Sequence, residues 1–135
     1  MIGPKEPKQT PADERKARTD LAERDKGLCV RCGRPGNNWD HRKNRSQGGR
    51  WAASNGQTLC GSGTVGCHGW VTQNPTFAVL DGFAVPGYAR PELWPAWRKD
   101  AGWVIYFDAP DDDGNWWQTI SESTAEFIMS SGGRP

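Results

Sequence analysis

The residues of this chain best suited to chemistry fall in a fixed order: Cys29-x-x-Cys32, Asp40-His41, Asn55, Cys60, then Cys67-His68. Cys29 and Cys32 have the spacing of a metal knuckle, and Cys60 with Cys67 offers a second. Four thiolates closing on one ion suit a structural Zn²⁺, which would staple a stretch with little core of its own. Two disulfides are the alternative; they allow three pairings, none of which accounts for a histidine beside a cysteine. His68 could also replace Cys67 among the zinc ligands. The chain has two histidines, and each adjoins another metal-binding residue type, His41 beside Asp40 and His68 beside Cys67.

A hairpin followed by a helix would bring these side chains together. Residues 39–42 read as a short strand, Ser46-Gln47-Gly48-Gly49 as a loop and residues 57–60 as the returning strand. Helical residues begin near Cys67 and run through Trp70 and Val71 until Asn74-Pro75 stops them. Upstream, Thr10 suits a helix N-cap, Pro11 the first helical position, and Asp13 and Glu14 the positive end of the dipole. That helix runs to Lys26 with Gly27 as terminator, and its thin apolar stripe (Ala17, Leu21, Ala22) predicts a largely solvated rod. Downstream, Phe77, Val79, Phe83 and Val85 alternate as in a half-buried strand. Residues 103–107 and 116–120 are strand-like runs joined through Asp113-Gly114, a hairpin signal, with Asp111 to Asp113 read as a solvated turn. Ser123-x-x-Glu126 resembles a capping box opening a last helix that carries Phe127 and Ile128.

The whole is 135 residues, the size of one domain. The longest apolar run, residues 103–107, is far short of the ~20 residues that span a bilayer, and the first residues lack the apolar stretch of a signal peptide. A membrane span and secretion are therefore not expected, and cytoplasmic cysteines favour metal binding. The net charge of +1 divides into +6 over residues 1–50 and −5 over residues 51–135. A basic half of this kind fits a polyanionic partner. Most of the eight tryptophans are expected in the core rather than as base-stacking platforms.

The strings CVRC, WDHRKNRSQGG, SNGQTLC and GCHGW, in this order over residues 28–75, resemble the HNH endonucleases, the ββα-metal (His-Me finger) nucleases. LCGSGTVGCHGWV with a tryptophan-rich tail is most similar to the small HNH proteins of tailed actinobacterial phages. The resemblance implies a metal-dependent DNA endonuclease leaving 5′-phosphate and 3′-hydroxyl ends. His41 would be the general base, since a neutral imidazole can accept a proton from water at neutral pH. Asp40 and His68 would hold one catalytic divalent cation (Mg²⁺, Mn²⁺, Zn²⁺ or Ni²⁺), leaving positions open for phosphate and water. Neighbours on a strand face opposite ways, which agrees with giving Asp40 and His41 different roles. Asn55 would fix the loop and the base histidine by hydrogen bonds. Arg42, Lys43, Arg45 and Arg50 would meet phosphates, with Gly48-Gly49 letting the backbone approach the duplex.

Two departures stand out. Six residues separate Cys60 from Cys67 where the commoner form has two, and the position four residues after His68 is Thr72, a poor metal ligand. The expected architecture is α+β: an arm over residues 1–9 without order, a helix over 10–27, a zinc-stapled ββα-metal core over 28–75, and a Trp-rich, β-containing extension over 76–135 packing on the core. The expected partner is DNA; the phage resemblance adds terminase and portal, and neither a membrane nor a nucleotide cofactor is expected. Other readings are a non-catalytic zinc module that binds nucleic acid, and a zinc-containing adaptor that docks proteins through an apolar patch in the tail.

Overall fold

The computed structural model describes residues 7–132 and is α+β, with four α-helices and two small antiparallel sheets. Helix α1 (Pro11–Asp25) starts as its sequence dictates. Thr10 accepts from the Asp13 amide, and the Asp13 carboxylate accepts from the Thr10 amide, so the box closes in both directions. It ends with Lys26 in the left-handed region at φ 55°, one residue before the expected glycine. Of the arm expected over residues 1–9, residues 1–6 lie outside the described stretch. Residues 7–9 run along the loop at 50–51, where Gln9 exchanges two hydrogen bonds with the Trp51 backbone at 2.9 and 2.6 Å.

Strands β1 (Asn38–His41) and β2 (Gly56–Leu59) pair with Asp40 opposite Gln57 and His41 opposite Gly56. The bare Cα of Gly56 is required there, because a Cβ would collide with the Trp39 ring. Most of helix α1 is solvent-exposed, as its thin apolar stripe predicts. Its buried residues are Ala17, Leu21, Arg24 and Asp25, so half of the docked face is ionic and invisible to an apolar count. Arg24 donates to the carbonyls of Ala53 (2.7 Å) and Gly56 (2.8 Å), and the Thr58 amide donates to Asp25 at 3.1 Å. These bonds satisfy backbone groups that a two-stranded ribbon leaves bare.

Helix α2 (Gly66–Gln73) follows, with buried Cys67, Gly69 and Val71. Residues 75–81 then depart from the expected strand. Pro75 opens helix α3 (Pro75–Asp81) instead of merely ending α2, since proline suits the first helical turn. The alternation of Phe77 and Val79 is coincidental: Phe77 is exposed and Ala78 carries the burial. The three-stranded sheet comprises β3 (Ala96–Arg98), which the prolines around it hide from a sequence reading, β4 (Gly102–Tyr106) and β5 (Trp117–Thr119). In the β4–β5 connection, Asp111 accepts from the amides of Asp113 and Asn115 at 3.0 and 2.8 Å, which is the expected solvated turn. Helix α4 (Glu122–Ser130) is capped by Ser121, two residues before the Ser123 expected, with the Thr124 amide donating to its hydroxyl.

The core comes in patches. One packs Cys29, Val30, Leu59, Cys67, Val71, Ala78 and Phe83 around the cysteine cluster. A second holds Val85, Ala89 and Trp94, and a third holds Ala96, Val104 and Tyr106. Between them lies a buried ionic cluster. Asp25 bonds both Arg24 and Arg98, and Arg98 also donates to the Tyr106 hydroxyl at 3.2 Å. Burial alone would push the Asp25 carboxyl up, but Arg24 and then Arg98 outweigh it and hold it below the usual carboxylate range. Among the described residues, no helix is long and apolar enough to cross a membrane.

Candidate metal centre and hairpin site

The four cysteines come from three places: the turn after Leu28 (Cys29, Cys32), the end of β2 (Cys60) and the first turn of α2 (Cys67). Their sulfurs all lie within 4.8 Å of one another, and all are free thiols. That is a donor set able to bind a metal such as zinc. The six-residue gap is absorbed by a loop in which Gly61, Gly63 and Gly66 all take positive φ. Two N–H groups point at sulfur: Arg31 donates to Cys67 at 3.4 Å and the Cys67 amide to Cys60 at 3.5 Å. The amide bond draws the Cys60 thiol down to about 7, whereas burial pushes Cys67 up to about 12. Arg31 also lies 4.0 Å from the Trp70 ring centroid, a cation placed to offset the negative charge of four thiolates around a dication. His68 does not replace Cys67, because its ring points elsewhere.

On the other side of that helical turn, His68 Nε2 stands 3.9 Å from Asp40 Oδ1. This exceeds hydrogen-bond length, and both groups keep part of their surface open. The Gly63 carbonyl takes the proton of His68 Nδ1 at 3.1 Å, which leaves Nε2 bare toward Asp40. Gln57, opposite Asp40 in the register, donates to Asp40 Oδ2 at 2.9 Å and to the Phe83 carbonyl. Burial pushes the Asp40 carboxyl up, and the Gln57 bond and the nearby His68 pull it partly back. A carboxylate oxygen and an imidazole nitrogen, each oriented by a second bond, are donor types that divalent cations take. Thr72 supplies no third ligand; its hydroxyl donates to the His68 carbonyl within the helix. Among the described residues the four cysteines form the only cluster of three or more potential ligands.

His41 faces away from Asp40, as strand alternation requires. Its environment differs from an open cut site. Trp39 Nε1 donates to His41 Nδ1 at 2.9 Å, and the Trp51 ring lies 4.5 Å away at 71°. Nδ1 is therefore the acceptor and the neutral ring carries its hydrogen on Nε2, which is buried without a partner. Burial first, then the charges of Arg45 and Arg18, hold this imidazole down to about 4. Asn55 makes no bond to His41. It lies in a 3-10 turn (Ala53–Asn55) just before β2 and fixes the loop alone. Its Oδ1 accepts from the Lys43 amide (2.7 Å), and its Nδ2 donates to the carbonyls of Lys43 (3.1 Å) and Arg50 (2.9 Å).

The basic run separates. Arg42 is not a phosphate contact: it is 2% exposed and donates to the carbonyls of Ser54, Pro91, Trp94 and Pro95. The loop turns back on itself, and the buried side of the strand end receives this side chain. Lys43 is half-buried and donates to the Ala89 carbonyl at 3.0 Å; Arg50 donates to the Pro7 carbonyl at 3.2 Å; Arg45 is exposed. Gly49 serves the loop's own closure rather than a duplex, since a Cβ there would collide with the Lys43 carbonyl. Trp39, Trp51, Gln57 and Arg31 escaped the sequence reading. Trp39-x-His41 carried a usable signal, because residues two apart on a strand share a face.

No protein-family model, curated protein or solved structure matches this chain.

Proposed function

We propose that this chain is a metal-dependent DNA endonuclease of the HNH type. The reading rests above all on Asp40 of β1 and His68 of α2, which stand 3.9 Å apart between hairpin and helix beside the four-cysteine cluster. Zn²⁺ held by Cys29, Cys32, Cys60 and Cys67 would be structural, and Asp40 with His68 would hold the second, catalytic cation. When bound, that cation supplies polarisation of the phosphate and stabilises the leaving oxygen. Gln57 and Gly63 keep the two ligand atoms turned toward each other. Asn55 shapes the loop that carries Arg45 and Arg50 toward the phosphates. His41 accepts the proton of the attacking water once its ring is released from Trp39, a rearrangement that substrate binding must drive. A phage origin and a packaging role beside terminase and portal follow from the family resemblance.

The closed state of His41, with Nδ1 engaged and Nε2 buried, favours a second reading: a zinc-stapled nucleic-acid-binding module without cleavage. Nicking of supercoiled plasmid decides between the two. Wild type, His41→Ala and Asp40→Ala are compared with Mg²⁺, Mn²⁺ or Zn²⁺ added and with the cation withheld. Cation-dependent nicking lost in both variants supports the nuclease. Equal nicking by all three proteins, or none with any cation, overturns it; salt-sensitive DNA binding without nicking then selects the module.

A further inference from the structure

We propose that the outer face of the three-stranded sheet, together with the first zinc knuckle, is a binding site for a single-stranded nucleic-acid segment. The proposal shares with the nuclease reading the choice of polymer and does not depend on cleavage. Alternation along β3 and β4 gives this sheet two unlike faces. Ala96, Arg98, Val104 and Tyr106 point inward and are buried, while Trp97 and Trp103 point the other way. Those two tryptophans are direct register partners and project from the same face of the sheet. Both are half-buried: Trp97 packs edge-on against Phe83 at 6.0 Å and Trp103 lies against Gly82, and the rest of each ring lines the groove. Gly82 permits the arrangement: it sits at φ +91°, and a Cβ there would meet Trp103 and the Trp97 backbone at 2.7 Å.

The pair forms part of the floor of an open groove of about 770 Å³. One wall is the knuckle with Cys32, Cys60 and Cys67, whose negative charge Arg31 offsets, and it contributes Arg34 as a further cation; the β3–β4 turn adds Lys99. The two walls are joined, since the Lys99 amide donates to the Val30 carbonyl at 2.7 Å. Arg34 and Lys99 are exposed, and among the described residues neither has a carboxylate partner. Asp81 and Glu122 lie on the α3 and α4 side of the groove. Cations on one wall and aromatic faces on the floor are what a single strand requires: phosphates along the cations, bases stacked on the rings. The acidic side keeps the phosphates on the knuckle wall. A duplex hides its base faces and gains only the charge contacts.

The test measures binding by fluorescence anisotropy with the full chain carrying Asp40→Ala, so that cleavage plays no part. The probes are a thymidine 12-mer, an abasic 12-mer with the same number of phosphates, and a duplex of the same length. The thymidine strand is expected to bind at least about tenfold more tightly than the abasic strand, the effect of one or two stacked bases. Arg34→Ala/Lys99→Ala changes two exposed side chains and leaves the fold intact. It is expected to lower the slope of log affinity against log salt by about 1.4 for the single strand. Trp103→Leu, which keeps an apolar side chain in the pair, is expected to narrow the gap between thymidine and abasic strands. Equal affinity for thymidine and abasic strands, an unchanged salt slope in the double variant, or tighter binding of the duplex would each overturn the proposal. All three results are independent of whether the wild-type chain nicks plasmid.

Discussion

Replacing Asn55 by alanine should unfasten the loop between the two strands of the hairpin. Asn55 is 1% exposed and makes three hydrogen bonds that no neighbouring side chain duplicates. At about 1 kcal/mol each, their loss costs about 3 kcal/mol. A domain of this size loses roughly 3–5 °C of Tm per kcal/mol, so Asn55→Ala should melt about 10 °C below the parent. Asn55→Asp is the sharper control. It keeps the acceptor for the Lys43 amide but turns an oxygen toward the carbonyls of Lys43 and Arg50, so at neutral pH it should be no more stable than the alanine variant. The assay is calorimetry paired with amide hydrogen exchange. The Lys43 amide, donated to Asn55 in the parent, should exchange up to roughly a hundredfold faster in the variant. A melting temperature within about 2 °C of the parent, or an aspartate variant more stable than the alanine one, would refute this account of Asn55.

Metal analysis by mass spectrometry should find one zinc per chain, and Cys32→Ser or a strong chelator should remove it. With about 10 kcal/mol or more of binding energy tied to folding, the stripped chain should lose cooperative melting; a sharp melt retained without zinc would contradict this. Asp25→Asn should cost about 3–5 kcal/mol in urea unfolding, because it leaves Arg24 buried without a carboxylate and Arg98 with the exposed Asp100 alone. Asp25 titrates below the usual ~3.9 in the folded chain. Its contribution is thus full above that value and lost as pH falls through the lowered native value. The wild-type urea midpoint should drop more steeply in acid than that of the variant; parallel pH profiles would remove Asp25 from the ledger of acid-sensitive groups.

Punctuation made the hairpin and its helix legible. Gly33, Gly48-Gly49 and Asn74-Pro75 bracket short runs whose partners are then set by the cysteines, and β1, β2 and α2 lie close to where those marks put them. The Thr10 cap was equally plain, because a capping box is a local device. Tertiary structure overrode the rest. Arg42 reads as a surface cation in any window of sequence, and only the carbonyls of residues 91–95 make it an interior one. Arg24 and Asp25 likewise dock α1 by charge, where an apolar stripe is the usual signal. Pro75 carries two meanings, helix stop and helix start, and the chain uses both. Residue type and spacing announced the cysteine cluster. The Trp39-x-His41 spacing puts both rings on one face, but the bond that closes His41 also depends on a side-chain tautomer, which spacing does not encode.

The clamp around Arg42 bears on whether the hairpin and its helix are portable. One of its four carbonyl partners, Ser54, belongs to the hairpin; the other three, Pro91, Trp94 and Pro95, belong to the segment after it. A graft cut at residue 75 would carry away the knuckles, Asp40, His41, Asn55 and His68, yet leave this guanidinium with a single acceptor. The strand next to His41 would then end in an interior cation stripped of most of its solvation. Transplanting the motif into another scaffold therefore means moving residues 91–95 as well, or replacing Arg42 with an apolar side chain of similar length.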